Sequence, residues 1–223
     1  MIFLDYQFDW RVVFDRWHMF VAGAWVDLWV AAVGFVLACT LGLLNAMLRT
    51  SGTRILTIPS FLYVQLMRGV PLYVMILWIY FGIANITGIT FTSFQAMIIA
   101  LALTGSGYTT EIFRAGLGAI DRGQMEAARS IGLSRIRTYG HVILPQAFRV
   151  VVPPLGNTFV GTLKGATIMS VIAVPDMVFL ANDLNVTLFT PFEVFAAVAV
   201  LLIVMVLFFS ALVYVLERRL RIT

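Results

Sequence analysis

The chain reads as long apolar stretches separated by short polar ones. Five stretches are long enough to cross a bilayer, for which about 20 apolar residues suffice. They run from Met19 to Leu48, Ile55 to Ile86, Phe91 to Phe113, Val150 to Val174 and Val194 to Val215. Within them apolar residues follow one another without alternation, as in VFAAVAVLLIVMVLFFSALVYV. A barrel strand would alternate over about ten positions, and only helices or closed barrels satisfy every backbone group in lipid. The pattern therefore predicts an all-α membrane protein of five spans.

The charges set its direction. Arg49 and Arg54 follow the first span, Arg122, Arg129, Arg135, Arg137 and Arg149 lie between the third and fourth, and Arg218, Arg219 and Arg221 follow the fifth. The connections on the other side carry no charge from Ala84 to Ser93 and only Asp176 and Asp183 from Val174 to Pro191. The N-terminal stretch is mixed, with Arg11 and Arg16 against Asp5, Asp9 and Asp15. Positive charge collects on the cytoplasmic side, so the N-terminus is expected outside and the C-terminus inside. Residues 1–18 then form an outer interfacial segment, with Trp10, Trp17 and Trp25 as interface anchors, and residues 19–217 the transmembrane domain. The start, MIFLDYQFDWRVVFDRW, shows no cleavable signal pattern.

Composition narrows the function. Of 223 residues, 61% are hydrophobic and 12% charged, against about 25% charged in soluble domains. The formal charge of +4 would suit nucleic acid, but the basic residues sit at the ends of apolar runs, so a membrane is the expected partner and nucleic acid is not. The single Cys39 permits no disulfide framework. His18 and His141 alone offer no His-rich metal site, and no Gly-x-Ser-x-Gly elbow occurs. No internal duplication of the kind secondary transporters show is visible.

The longest cytoplasmic connection, AIDRGQMEAARSIGLSRIRTYGHVILPQAFR, is punctuated for helices. Asp121 and Gln124 have capping-box spacing, Gly132 fits the position past a helix end, and Ser134 is placed to cap a second helix. A helix over about Arg122–Ile131 is too short to be stable alone, so it must pack on something. Met125, Ala128 and Ile131 recur at three-residue spacing as an apolar face. Ala127 and Ala128 allow a partner backbone to come close, and Glu126 offers an acceptor to a basic partner group. The competing reading is an amphipathic loop lying on lipid.

A resemblance separates the two. Glu126-Ala127-Ala128, Gly132 three residues on, and Leu144-Pro145 resemble the cytoplasmic signature of ABC importer permeases: Glu-Ala-Ala, three residues, Gly, nine residues, Ile, one residue, Leu-Pro. Val142 stands at the Ile position. Arg68-Gly69-Val70-Pro71-Leu72 is similar to the Arg-Gly-Thr-Pro-Leu of polar amino-acid permeases. Glu111-Ile112-Phe113-Arg114-Ala115-Gly116, Arg122-Gly123-Gln124 and Leu144-Pro145-Gln146-Ala147 also look like theirs. The resemblance implies a type I importer fold for uptake of an amino acid or similar small polar solute. It implies that Glu126, Ala127, Ala128, Gly132, Leu144 and Pro145 belong to the coupling to two ATPase subunits. It further implies a second permease subunit, identical or paralogous, a periplasmic solute-binding protein, and a bacterial inner-membrane location. The chain has no Gly-x-x-x-x-Gly-Lys-Ser/Thr loop. It is therefore expected to be a transport subunit with no cofactor or metal of its own, ATP and magnesium residing on the partner. The alternatives are a channel or secondary transporter needing no ATPase, and, more remotely, an intramembrane enzyme.

Charged residues at membrane depth cost about 2.5–3.5 kcal/mol on insertion scales and should face protein, water or solute. Glu111 and Arg114, three residues apart, are expected to form a structural ion pair at the helix mouth. Arg68 precedes Gly69 and Pro71, where the missing amide proton should open the helix. It either holds a solute carboxylate bidentately or caps the kink. Lys164 stands among Gly161, Gly165, Thr167 and Ser170, a small polar stripe suited to helix packing. Packing is the default reading there, with Lys164 and Thr167 as secondary candidates for the solute path. Asp27 reads as an interfacial, solvated carboxylate, and Gly105-Ser106-Gly107 as a helix contact patch.

Overall fold

The computed structural model describes residues 7–220. Residues 1–6, which include Asp5, and 221–223, which include Arg221, lie outside the described residues. Among the described residues the chain is helical and has no strand. A short turn of helix, α1 (Arg11–Phe14), precedes the long α2 (Trp17–Arg49). Next come α3 (Arg54–Gly69), α4 (Leu72–Leu77), a wide π turn at Trp78–Gly82, and α5 (Ile83–Thr87). Then follow α6 (Ser93–Gly118), α7 (Arg122–Ser130), α8 (Arg135–Thr138), α9 (Leu144–Ala166), α10 (Met177–Leu188) and α11 (Pro191–Leu220).

Three helices, α2, α6 and α11, are each long and apolar enough to cross a membrane, and counting each of two bent pairs as one span gives up to five. One bent pair turns by 99° between Gly69 and Leu72, the other by 45° between Ile172 and Met177. The sharper turn has a local cause. Pro71 has no amide proton and its ring clashes with the preceding turn. Val70 and Pro71 take extended conformations, with ψ of 123° and 139°. The expected opening after Arg68 is therefore present, as a full change of direction. At Pro145 the same deficit is absorbed differently. Leu144 donates to the Tyr139 carbonyl across a wide turn, which accommodates the missing Pro145 amide without bending the chain away.

Helices α2 and α6 form the most extensive pairing, held by small residues and hydroxyls. Thr109 Oγ1 donates to the Ala38 carbonyl at 2.7 Å, and Asn45 Nδ2 to Thr110 Oγ1 at 3.3 Å. A Cβ at Gly105 would stand 2.8 Å from that of Ala38, so the two backbones meet as closely as a small residue allows. Without water to squeeze out, helices in lipid associate through such packing and through interhelical hydrogen bonds worth roughly 0.6 kcal/mol each. Ile76, Met97, Leu101, Leu163 and Met169 fill the space around this pair. Phe20, Met177, Ala181 and Val194 form a second cluster that ties α10 and α11 to the start of α2. The outer surface stays apolar, with Val36, Leu44 and Met47 of α2 and Ile203, Leu207 and Phe208 of α11 exposed. An apolar exterior on this scale marks a membrane or subunit face.

Two expectations need correction. The stretch from Val174 to Pro191, read as a connection, contains α10, whose first turn is capped by Asp176 accepting from the Phe179 amide at 2.6 Å. Asp27, read as solvated, is fully buried, and its Oδ2 accepts from the Met177 amide at 3.3 Å. The start of α10 folds over it. That approach is possible because Gly23, one turn earlier on α2, leaves room where a Cβ would be 2.7 Å from the Met177 nitrogen. The start of α6 also carries a full capping box, Thr92 with Gln95.

Candidate functional site

The break between α3 and α4 opens a cavity of about 470 Å³, within the range of small-molecule sites. Arg68, Gly69 and Pro71 line it from the break, Thr104, Gly105 and Tyr108 from α6, and Thr158, Gly161, Thr162 and Gly165 from α9. The sequence candidates Lys164 and Thr167 lie outside its walls. Thr167 Oγ1 donates to the Lys164 carbonyl at 2.8 Å, so it serves the end of its own helix. The threonines of α6 and α9 and Tyr108 escape sequence inspection, because nothing along the chain shows that three distant segments converge.

Arg68 brings the cavity's charge. Its guanidinium lies over the Tyr108 ring, 5.1 Å from the centroid. Its stem fits because Gly107 is bare: a Cβ there would come within 2.8 Å of Arg68 Cγ. So Gly107, read as a packing residue, also sets where the cation sits. Among the described residues, the cavity walls hold this one cation and no carboxylate. A second cavity of about 470 Å³ shares Arg68, Tyr108 and Thr158, and extends to Glu111, Ala119 and Val150.

Glu111 is where the second cavity meets the arginines. Its Oε2 lies 2.7 Å from Arg114 Nη2, and its Oε1 lies 3.2 Å from Arg49 Nε at the end of α2. The expected pair with Arg114 is present, and Arg49 extends it across two helices. Arg49 in turn stacks over Phe61 of α3, 4.8 Å from the ring centroid. One carboxylate thus joins the ends of α2 and α6.

The second feature is α7, nine residues long. Asp121 caps it by accepting from the Gly123 amide at 2.6 Å. The predicted capping box with Gln124 is not made: the Asp121 side chain takes the Gly123 amide, and the Gln124 amide bonds the Asp121 carbonyl instead, at 3.1 Å. At the other end Gly132 takes φ of 84°, and the Leu133 amide returns to the Ala128 carbonyl at 3.2 Å, the closure a glycine favours. Ser134 caps α8, accepting from the Arg137 amide at 3.5 Å. Ala128 alone of α7 is buried. Ile131, expected on the same apolar face, is 78% exposed, at the C-cap where α7 ends. Glu126 and Ala127 are exposed. Leu144 and Pro145 start α9, with Leu144 exposed and Ile143 buried.

A helix bundle with a broken span beside a solute-sized cavity, and a capped helix standing off its arginine-rich end, defines a transport protein's membrane subunit. The chain belongs to the family of binding-protein-dependent transport system inner membrane components, whose profile matches residues 34–222. It is 33% identical over 209 residues to the probable glutamine ABC transporter permease GlnM of Bacillus subtilis, covering 94% of this chain and 96% of that one. It is 30% identical over 217 residues to the glutamine transport system permease GlnP of Escherichia coli K12, covering 97% and 99%. Among solved structures, an amino acid ABC transporter with histidines superposes with a TM-score of 0.90 at 33% identity, covering 96% of this chain and all of that one. The type I importer fold and a multi-pass membrane subunit working with ATPase and permease partners follow from this membership.

Proposed function

We propose that this chain is the subunit through which an ATP-driven importer passes an amino acid or similar small polar solute across the inner membrane. Relatives named for glutamine transport, similar along nearly the whole chain, support that substrate class. Residues 19–217 act as the transmembrane domain and residues 1–18 lie at the outer interface, with the N-terminus outside and the arginine-rich end in the cytoplasm. ATP and magnesium belong to two ATPase subunits. A second permease subunit, identical or paralogous, completes the path, and a periplasmic binding protein delivers the solute.

The observation that carries this reading is α7. It is capped at both ends and touches its own chain through Ala128, yet shows Glu126 and Ala127 to the outside. A helix this short needs a surface to lie on, and an ATPase subunit supplies one. Closure of the ATPase pair on ATP pushes α7, and the push reaches α9 through α8 and the wide turn at Tyr139–Ile143. The solute descends through the cavity at the broken span, where Arg68 holds its carboxylate, and Gly69 and Pro71 keep the backbone open. Lys164 and Thr167 remain on the margin of this path.

The test is uptake by proteoliposomes holding the permease with its ATPase subunits and binding protein. ATP-dependent uptake that is lost in both Glu126→Lys and Gly132→Glu, in complexes that still assemble, is expected. Uptake by the permease alone, or at the wild-type rate in both variants, overturns the proposal.

A further inference from the structure

The two faces of α7 differ. Met125, Ala128 and Arg129 fall on one side of the helix and Glu126, Ala127 and Ser130 on the other. Ala128 is buried on the first side. Next to it, Met125 and Arg129 wall a cavity of about 240 Å³ whose far side is Arg135, Thr138 and Tyr139. Two guanidiniums thus share one small space. Among the described residues neither meets a carboxylate: Glu111 takes Arg49 and Arg114, and the cavity walls hold no acid. Thr138 Oγ1 donates to the Ser134 carbonyl at 3.1 Å, so the side-chain donors left in these walls are the two arginines and the Tyr139 hydroxyl.

An open groove of about 420 Å³ continues from Arg135 and Tyr139 over Ile136 and Gly140 to Leu144. Beyond Arg135 and the phenol its walls are apolar, and Ile136 and Leu144 are exposed. A Cβ on Gly140 would meet nothing within 4 Å, so the groove is bare at its middle. Leu144 opens α9, the long helix of the fourth expected span, and Phe148 is exposed one turn further on. The two cations therefore sit at the foot of an apolar track that climbs the span.

Resting on the reading that this arginine-rich end faces the cytoplasm, we infer that the cavity and groove together seat an anionic phospholipid of the cytoplasmic leaflet. Its phosphate lies between Arg129 and Arg135, and an acyl chain runs along Ile136, Gly140 and Leu144. Guanidinium forks match phosphate oxygens bidentately, and anionic lipids collect on the cytoplasmic face of a membrane. A soluble phosphate would fill the cavity and leave the groove empty. An apolar protein segment would fill the groove and leave two cations without a counter-charge. A lipid satisfies both. Glu126 and Ala127 stay free on the opposite side of α7, so lipid and ATPase do not compete. The lipid lies against α8 and the wide turn at Tyr139–Ile143, the joint between α7 and α9.

The test is native mass spectrometry of the complete importer released from nanodiscs of phosphatidylcholine and phosphatidylglycerol in equal parts. The last lipid to leave the wild-type complex is expected to be phosphatidylglycerol. Arg129→Gln and Arg135→Gln are each expected to weaken its retention about fivefold, the worth of one cation at an anionic surface. Gly140→Phe fills the groove with every charge in place and is expected to weaken retention several-fold. Arg219→Gln removes an exposed cation at the end of α11, outside both walls, and is expected to change nothing. Three results each overturn the inference. One is no preference for phosphatidylglycerol in the wild type. Another is a loss in Arg219→Gln equal to that in Arg135→Gln, which means that surface charge alone suffices. The third is unchanged retention in Gly140→Phe with displacement by glycerol phosphate, which assigns the cavity to a soluble phosphate. Failure of the underlying orientation looks different. Ser130→Cys, in a chain with Cys39→Ser, is expected to resist an impermeant maleimide in right-side-out vesicles until they are lysed. Labelling before lysis overturns the orientation, and with it the leaflet, whatever lipid is retained.

Discussion

The guanidinium of Arg68 and the ring of Tyr108 face each other at 5.1 Å, which holds the cation of a broken span against the neighbouring helix. Tyr108 is about half exposed to the cavity, so the contact is of the modest kind, roughly 0.5–1 kcal/mol. Tyr108→Leu is therefore expected to lower solute affinity about three-fold by letting Arg68 wander. Tyr108→Phe, which keeps the ring, stays near wild type. Titration of both variants decides it; equal loss in the two would assign the role to the phenol hydroxyl instead.

Gly107 and Gly161 make a matched pair for stability. A methyl on Gly107 would press on Arg68 Cγ at 2.8 Å, Met67 Cβ at 3.1 Å and the Val64 carbonyl at 3.3 Å, whereas one on Gly161 meets nothing within 4 Å. Overpacking costs about 1–3 kcal/mol. Gly107→Ala is expected to lower the apparent melting temperature by several degrees and to displace Arg68. Gly161→Ala should leave the melting temperature within error.

The broken span was legible because its cause is local: Pro71 removes a donor wherever it stands. The capped helix at Asp121–Gly132 was legible for the same reason, since caps and a left-handed glycine are written in neighbouring residues. What stayed hidden depended on distant contacts. Asp27 near a helix end looks solvated until α10 is laid across it. Tyr108, Thr158 and Thr162 become a site only when α6 and α9 meet the opening of α3. The start of α10 did carry a signal, an Asp176 in cap position ahead of an apolar run, but a helix of 12 residues interrupted by Asn182, Asp183 and Asn185 is too short and too polar to register as a span. Three-residue spacing does not show where the helix stops, and α7 ends one residue before Ile131.

Glu111 holds two cations, Arg49 and Arg114, at a partly buried junction. Glutamine removes the charge and keeps only one acceptor oxygen, so one of the two arginines faces an NH₂ instead, and Arg49 Nη1 is already a buried donor without a partner. Glu111→Gln is expected to destabilise the subunit by about 1–3 kcal/mol, the range for an orphaned buried partner. Adding Arg49→Met should recover part of the loss. Denaturation midpoints of the three proteins check this, and additive losses would show that the two groups do not act together.

Gly132 gives a graded test of α7. At φ of 84° any other residue pays about 1–2 kcal/mol for the left-handed conformation. Gly132→Ala should slow uptake partially. Gly132→Asn, which tolerates that region better, should fall between alanine and wild type. An order governed by side-chain size alone would argue instead for a steric contact with the partner.

Asp27 and Asp176 approach each other at the other end of α2, both fully buried. Asp27 Oδ1 and Asp176 Oδ2 each lack a hydrogen-bond partner, while the Met177 amide donates to Asp27 Oδ2. An ionised carboxylate buried with an unpaired oxygen is costly, and two side by side repel. Asparagine at position 27 keeps an acceptor for the Met177 amide and brings an NH₂ that can donate to the unpaired Asp176 oxygen. Asp27→Asn is therefore expected to leave the subunit as stable as wild type or more so. Asp27→Leu removes the acceptor and strands the Met177 amide, at a cost of about 1–3 kcal/mol. Thermal unfolding of the two variants separates the cases. An asparagine variant as unstable as the leucine one would mean that the carboxylate's charge, rather than its acceptor, holds α10 against α2.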